Sequence, residues 1–219
     1  MRKIILIVMV CLISQAVFSQ VKFGLEVTPF NINRLNTQLA GIDASSGTTI
    51  GAKLVVDNPI SESAFISTGI EIMSFKSDLA YSTSLTDTNE VGNIEFKSSY
   101  IVIPISLKLK MTQYGLFTPF AQVGFEPGFS FGEKITATGF TTGDDAPEFG
   151  VRAINIPFSL AAGTEYQLSD RNAVYASLFY KIGLTNVIKD NYVLDNGEFK
   201  GDSESITLNN FGLRIGILF

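Results

Sequence analysis

Apolar residues recur at every second position in eight separate segments, and the face they share carries no charge for about ten residues at a time. Residues 100–111 show it best: Ile101, Ile103, Ile105, Leu107, Leu109 and Met111 oppose Tyr100, Val102, Pro104, Ser106, Lys108 and Lys110. The same alternation runs through residues 21–28, 50–57, 64–73, 121–131, 154–165, 176–184 and 210–219. A period of two is that of a strand, whose side chains point alternately to opposite faces. A water-soluble barrel or sandwich would hide its apolar face and present a bulky, charged one. Here the polar face is rich in Gly, Ser and Ala with one or two charges per strand, which suits a crowded interior. The opposite face is Ile, Leu, Val and Phe, which suits lipid, and strands of about 9–11 residues cross a bilayer at a tilt.

The connections point the same way. Asp57-Asn58-Pro59, Thr112-Gln113-Tyr114-Gly115 and Ser169-Asp170-Arg171-Asn172 are short turns, whereas the stretches near 31–48, 77–98, 133–152 and 186–204 are long and polar. Strict alternation of short and long predicts an all-β fold: an eight-stranded antiparallel up-and-down transmembrane β-barrel with short periplasmic turns and long extracellular loops. Pro104 and Pro157 each remove a ladder hydrogen bond, which predicts a local bulge or kink at both.

Residues 1–19 read as a cleaved signal peptide, with Arg2 and Lys3 before an apolar core from Ile4 to Ile13 and Val17 and Ser19 at a cleavage site. That leaves 20–219 as one barrel domain. The single Cys, Cys11, falls in the leader, so disulfide and thiolate chemistry are not expected. There is no His, which excludes Ser–His and Cys–His nucleophile pairs and His-ligated zinc. With 16 Lys and Arg against 21 Asp and Glu the formal charge is −5, and no basic run offers a face for nucleic acid.

Parity turns nine charges inward: Glu26, Lys53, Glu71, Lys108, Lys110, Glu126, Glu165, Lys181 and Arg214. They are expected to form an ion-paired network filling the lumen, because eight strands enclose only enough space for side chains. Pairing Glu126 with Glu165 as acid and base is the catalytic alternative, but nothing aims either at a substrate; no catalytic residue, metal or cofactor is expected. The long loops hold acidic residues including Asp144, Asp145, Asp190, Asp195, Glu198, Asp202 and Glu204, in no EF-hand spacing. Solvated, repelling loops are the reading, with Asp195-Asn196-Gly197-Glu198 as a hairpin tip.

The segment Tyr-Ile-Val-Ile-Pro-Ile-Ser-Leu-Lys-Leu-Lys at 100–110, its short turn, Thr-Pro-Phe-Ala-Gln-Val-Gly at 118–124 and the terminal Phe219 on an alternating last strand resemble the PorT-like outer-membrane β-barrel proteins of Bacteroidota. That resemblance covers residues 20–219. It implies an outer-membrane location, with Phe211, Leu213, Ile215, Ile217 and Phe219 as the insertion signal read by the barrel-insertion machinery. It also implies a link to secretion across that membrane, although the shared motifs are structural. The expectation is therefore a non-enzymatic scaffold or surface-contact protein whose partners are outer-membrane lipid, lipopolysaccharide, the insertion machinery and envelope or secretion proteins. A narrow solute channel and a periplasmic lipocalin-like binder are the rival readings.

Overall fold

A computed structural model of the chain describes residues 21–36, 42–44, 46–82, 91–138, 151–169, 171–187, 194–195, 198–199 and 206–219. Eight strands build one antiparallel sheet: β1 (Lys22–Asn36), β2 (Ser46–Pro59), β3 (Ala64–Ser82), β4 (Val91–Val102 and Ile105–Lys110), β5 (Phe117–Phe125 and Gly128–Thr138), β6 (Ile154–Asn155 and Pro157–Gln167), β7 (Ala173–Gly183) and β8 (Thr207–Leu218). Each pairs with its neighbours in the chain, and β1 pairs with β8 from Gly24 opposite Leu218 to Asn36 opposite Thr207, so the sheet closes into a barrel. Closure removes free edges and lets the sheet satisfy its own backbone groups, as hydrocarbon requires. The fold is the eight-stranded barrel that the alternation predicts. The leader at 1–19 and the loop residues Asp144, Asp145, Asp190, Asp202 and Glu204 lie outside the described residues.

Three tight turns and the described chain ends share one end of the barrel. Ser61 N donates to Ala64 O, Leu168 N to Asn172 O, and Tyr114 and Phe117 bond each other around Gly115. Gly115 has a φ of 63°, a left-handed conformation that glycine adopts without a Cβ penalty. Phe23 and Phe219 exchange both backbone bonds, fastening the last residue to the first strand. At the other end Leu194–Asp195 pairs with Glu198–Phe199, the hairpin expected around Asn196-Gly197.

The outer face is apolar. Leu25, Val27, Leu54, Ile70, Ile72, Ile105, Leu178 and Ile215 are all exposed. On β4 the outward apolar residues run from Met111 to Ile101, about 33 Å along the strand and about 25 Å along the membrane normal at a 40° tilt. That matches the apolar band of a transmembrane barrel and is the reverse of a lipocalin-like binder. Phe211, Leu213, Ile215, Ile217 and Phe219 line the lipid-facing side of β8.

Two features differ from the expectation. The strands are longer at the loop end, β3 reaching Ser82 and β5 reaching Thr138 where polar loops were expected from 77 and 133. Outward residues there are polar, so the alternation of hydrophobicity stops while the hydrogen-bond ladder continues. Secondly, the sheet is interrupted at Ile103–Pro104, at Glu126–Pro127 and at Ile156, just before Pro157. Pro104 and Pro157 mark breaks as predicted; the break at Pro127 is additional. The registers of β4, β5 and β6 place all three breaks side by side, and single bonds from Ile103 N to Pro127 O and from Glu126 N to Pro157 O bridge them. A proline cannot return a bond, so this row lacks some of its ladder.

Candidate functional site in the barrel lumen

Ten charged side chains, at least one from every strand, meet inside the barrel. They are the nine predicted from parity and Asp57, five acids and five bases. The turn chemistry of Asp57-Asn58-Pro59 predicts a turn at Asp57, but β2 runs on to Pro59 and carries Asp57 inward, where it is 0% exposed. The signal for it was its place on the Lys53 face of the alternation.

The charges form two clusters. In the middle of the barrel Glu26, Lys53 and Glu71 lie opposite one another in the registers of β1, β2 and β3. Lys53 Nζ stands 2.7 Å from Glu26 Oε1 and Arg214 Nε 3.4 Å from the same oxygen, while Tyr175 Oη donates to Glu26 Oε2 at 2.6 Å. Across the lumen Glu126 accepts from Arg214 Nη2 at 2.9 Å and pairs with Lys181 Nζ at 2.6 Å; Lys181 also reaches Glu71 at 3.5 Å. Nearer the tight turns Lys108 Nζ sits between Asp57 and Glu165, 2.7 Å from each, and Lys110 takes the other oxygen of Glu165 at 2.7 Å. Charges removed from water need such partners, since an isolated one costs several kcal/mol.

Aromatic rings complete the filling. Arg214 lies 4.2 Å from the centre of the Phe179 ring, Lys108 4.6 Å from Phe120 and Lys110 4.4 Å from Phe65, in cation–π contact. Tyr175 joins the clusters, its hydroxyl on Glu26 and its ring 5.2 Å from Lys108. Val55, Phe120, Tyr175 and Leu218 pack together toward the turn end. Toward the loop end the contacts become neutral: Asn33 donates to Thr49 at 2.9 Å, Asn210 donates to Asn33, and Thr185 donates to Asn155 at 3.1 Å.

Glu126 and Glu165 stand in different clusters, each held by two cations. Among the described residues no three metal-ligating side chains converge. The arrangement is a packed, charge-neutral plug. Its side chains in the middle of the barrel are 1–5% exposed, so solvent does not run through this level.

No protein-family model matches the sequence, and no characterised protein matches it in sequence. The fold has solved counterparts. The chain is similar to neisserial surface protein A (NspA) with a TM-score of 0.51 and 8% identity, over 90% of this chain and 95% of that one. It is similar to the outer membrane protein OprG from Pseudomonas aeruginosa with a TM-score of 0.50 and 11% identity, over 90% and 95%. At these identities the likeness is one of fold: a closed antiparallel barrel of eight strands.

Proposed function

We propose that this protein is an outer-membrane barrel with a closed lumen, acting as an anchored scaffold or surface-contact protein rather than as an enzyme or a channel. The observation that carries the reading is the buried set of five acids and five bases, contributed by all eight strands, under an apolar outer belt. A conducting pore would leave such side chains wet, and a hydrolase would present at least one of them to a substrate. The outer-membrane barrels that share the fold support the location. Membership of the PorT-like group, a role in envelope assembly or secretion, and contacts with lipopolysaccharide and the insertion machinery belong to the same proposal, resting on the Ile-Pro-Ile-Ser-Leu hairpin and the terminal Phe219.

Two measurements test it. Envelope fractionation should recover the protein with outer membranes, in a form whose gel mobility changes on heating. Purified barrel in a planar bilayer should pass almost no current; stable ion-conducting steps would replace the scaffold with the channel.

A further inference from the structure

We propose that the outer wall of β3, β4 and β5, just above the apolar belt, binds the phosphate group of a membrane lipid. Four successive outward rows cross these strands in register. The last apolar row is Ile72, Ile101 and Phe129; above it come Ser74, Ser99 and Gly132, then Lys76, Lys97 and Lys134, then Asp78, Glu95 and Thr136. Three lysines therefore stand side by side, about 13 Å along the strands from the end of the apolar surface, at the depth of lipid head groups. Like charges directly opposite on a sheet repel, and Glu95, bonded to Lys76 and Lys97, offsets only part of the charge of three lysines, so the row favours a further anion.

The third lysine faces outward because of one extra residue. Inward positions on β5 are even-numbered through Ser130, which pairs with Tyr100; Gly132, not Phe131, then pairs with Ser99. This bulge at Phe131 reverses the parity and turns Gly132 and Lys134 to the outside, where an unbroken strand would send Lys134 into the lumen. A bulge that re-aims a side chain is a common device beside binding sites.

The rows enclose a groove of about 410 Å³ whose lining includes Ser74, Lys76, Lys97, Ser99, Gly132 and Lys134, and no carboxylate. Its floor is low: a Cβ placed on Gly132 meets nothing within 4 Å. Glu95 stands on the far side, with Lys76 at 2.8 Å and Lys97 at 2.9 Å, and these bonds hold its carboxyl down to about 2, so it steadies the two lysines without entering the groove. Ammonium groups form charge-assisted bonds with phosphate oxygens, one hydroxyl of the Ser74–Ser99 pair, 3.2 Å apart, can donate beside them, and Ile72, Ile101 and Phe129 lie beneath for the acyl chains. Among the described residues of β1, β2 and β8 there is no such row: the outward Arg34 is flanked by Asn209 and Ser46.

The lipid source rests on the outer-membrane reading, so the test is made on purified full-length barrel in neutral detergent, where location plays no part. Binding of bisphosphorylated lipid A, of the same lipid with both phosphates removed, and of inorganic phosphate is followed by native mass spectrometry. Heat-modifiable gel mobility shows that each variant is folded. Lipid A should bind, the dephosphorylated lipid should not, and Lys97→Gln and Lys134→Gln should each weaken binding about fivefold. Gly132→Leu should weaken it comparably by filling the groove with no change of charge, whereas Arg34→Gln should leave it unaltered. The proposal is overturned if the dephosphorylated lipid binds equally, if Arg34→Gln is as harmful as the lysine variants, or if Gly132→Leu has no effect. Inorganic phosphate binding as tightly as lipid A would overturn the membrane source, leaving a site for soluble phosphate. Failure of the fractionation test with these results intact would displace the location and not the site.

Discussion

Leu107 and Lys108 are adjacent in the chain and face different media. Leu107 points to lipid at 36% exposure, and Lys108 is 2% exposed between Asp57 and Glu165. Lys108→Met leaves two carboxylates short of a cation, and the loss of one partner of a buried pair costs about 3–5 kcal/mol. Leu107→Met should cost under about 1.5 kcal/mol, as a swap of similar volume, while Leu107→Lys should cost about 2–4 kcal/mol at mid-membrane depth. Denaturant unfolding in lipid vesicles measures all three, and a barrel that tolerates Lys at 107 and Met at 108 would have the inside and outside of β4 the wrong way round. At this scale the sequence was informative wherever a charge interrupted an apolar alternation, which placed nine of the ten lumen charges. It was silent on pairing: Lys108 and Asp57 are 51 residues apart, on β4 and β2, and the sheet curling across the intervening β3 brings their inward side chains together. Asp57 itself was obscured by the neighbouring Asn58-Pro59, whose turn chemistry suggested a strand end two residues too soon.

Neighbouring strands fit by exchanging bulk for space, as β7 and β8 show. Tyr175 lies opposite Gly216 and Phe179 opposite Gly212, and a Cβ built on Gly216 would come within 2.4 Å of the Tyr175 ring. The glycine thus admits the ring that carries a hydroxyl to Glu26. Gly216→Ala should cost about 1–3 kcal/mol by overpacking, measured as a lower denaturant midpoint. Tyr175→Phe, which keeps the ring and removes only the bond to Glu26, should cost about 1.5–3 kcal/mol, the worth of a hydrogen bond to a charged group. A Gly216→Ala barrel as stable as the parent would mean that the ring has another resting place. The alternation fixes which residues of a strand share a face, but it is blind to a bulge. The extra residues at Thr28–Pro29 and at Phe131 each reverse the parity beyond them; outward positions turn polar directly after Phe131, whereas beyond Pro29 the outward Phe30 and Ile32 are still apolar. The break at Pro127 is hidden in the sequence for a related reason: Phe125, Phe129 and Phe131 keep the alternation intact across it, so nothing in hydrophobicity signals the missing donor.

Seen as a whole, the barrel has two unlike ends. Tight turns at Ile60–Ser63, near Gly115 and at Leu168–Asn172 sit with Phe23 and Phe219, while β3, β4 and β5 rise beyond the apolar belt at the other end. The alternation of short and long connections made this polarity legible, because a two-strand unit with a brief turn leaves no choice about which end the turn occupies. The height of the wall was not legible, since above the belt the outward positions turn polar and the inward ones mix Ser77 and Ser98 with Phe75, all buried, so the sequence loses its period. Insertion with turns toward the periplasm puts the tall wall, and the lysine row upon it, outside the cell. Single cysteines test this directly, for the chain's own Cys11 lies in the leader expected to be removed and parent protein should take no label. With a membrane-impermeant maleimide, Thr136→Cys should be labelled on intact cells, and Glu62→Cys, in an exposed tight turn, only after the envelope is opened. Labelling of both without lysis would show a damaged outer membrane, which a periplasmic marker protein controls for. If Cys at 62 reacts on intact cells and Cys at 136 does not, the barrel is inverted; the lysine row then faces the periplasmic leaflet, and any phosphate it binds must come from that side.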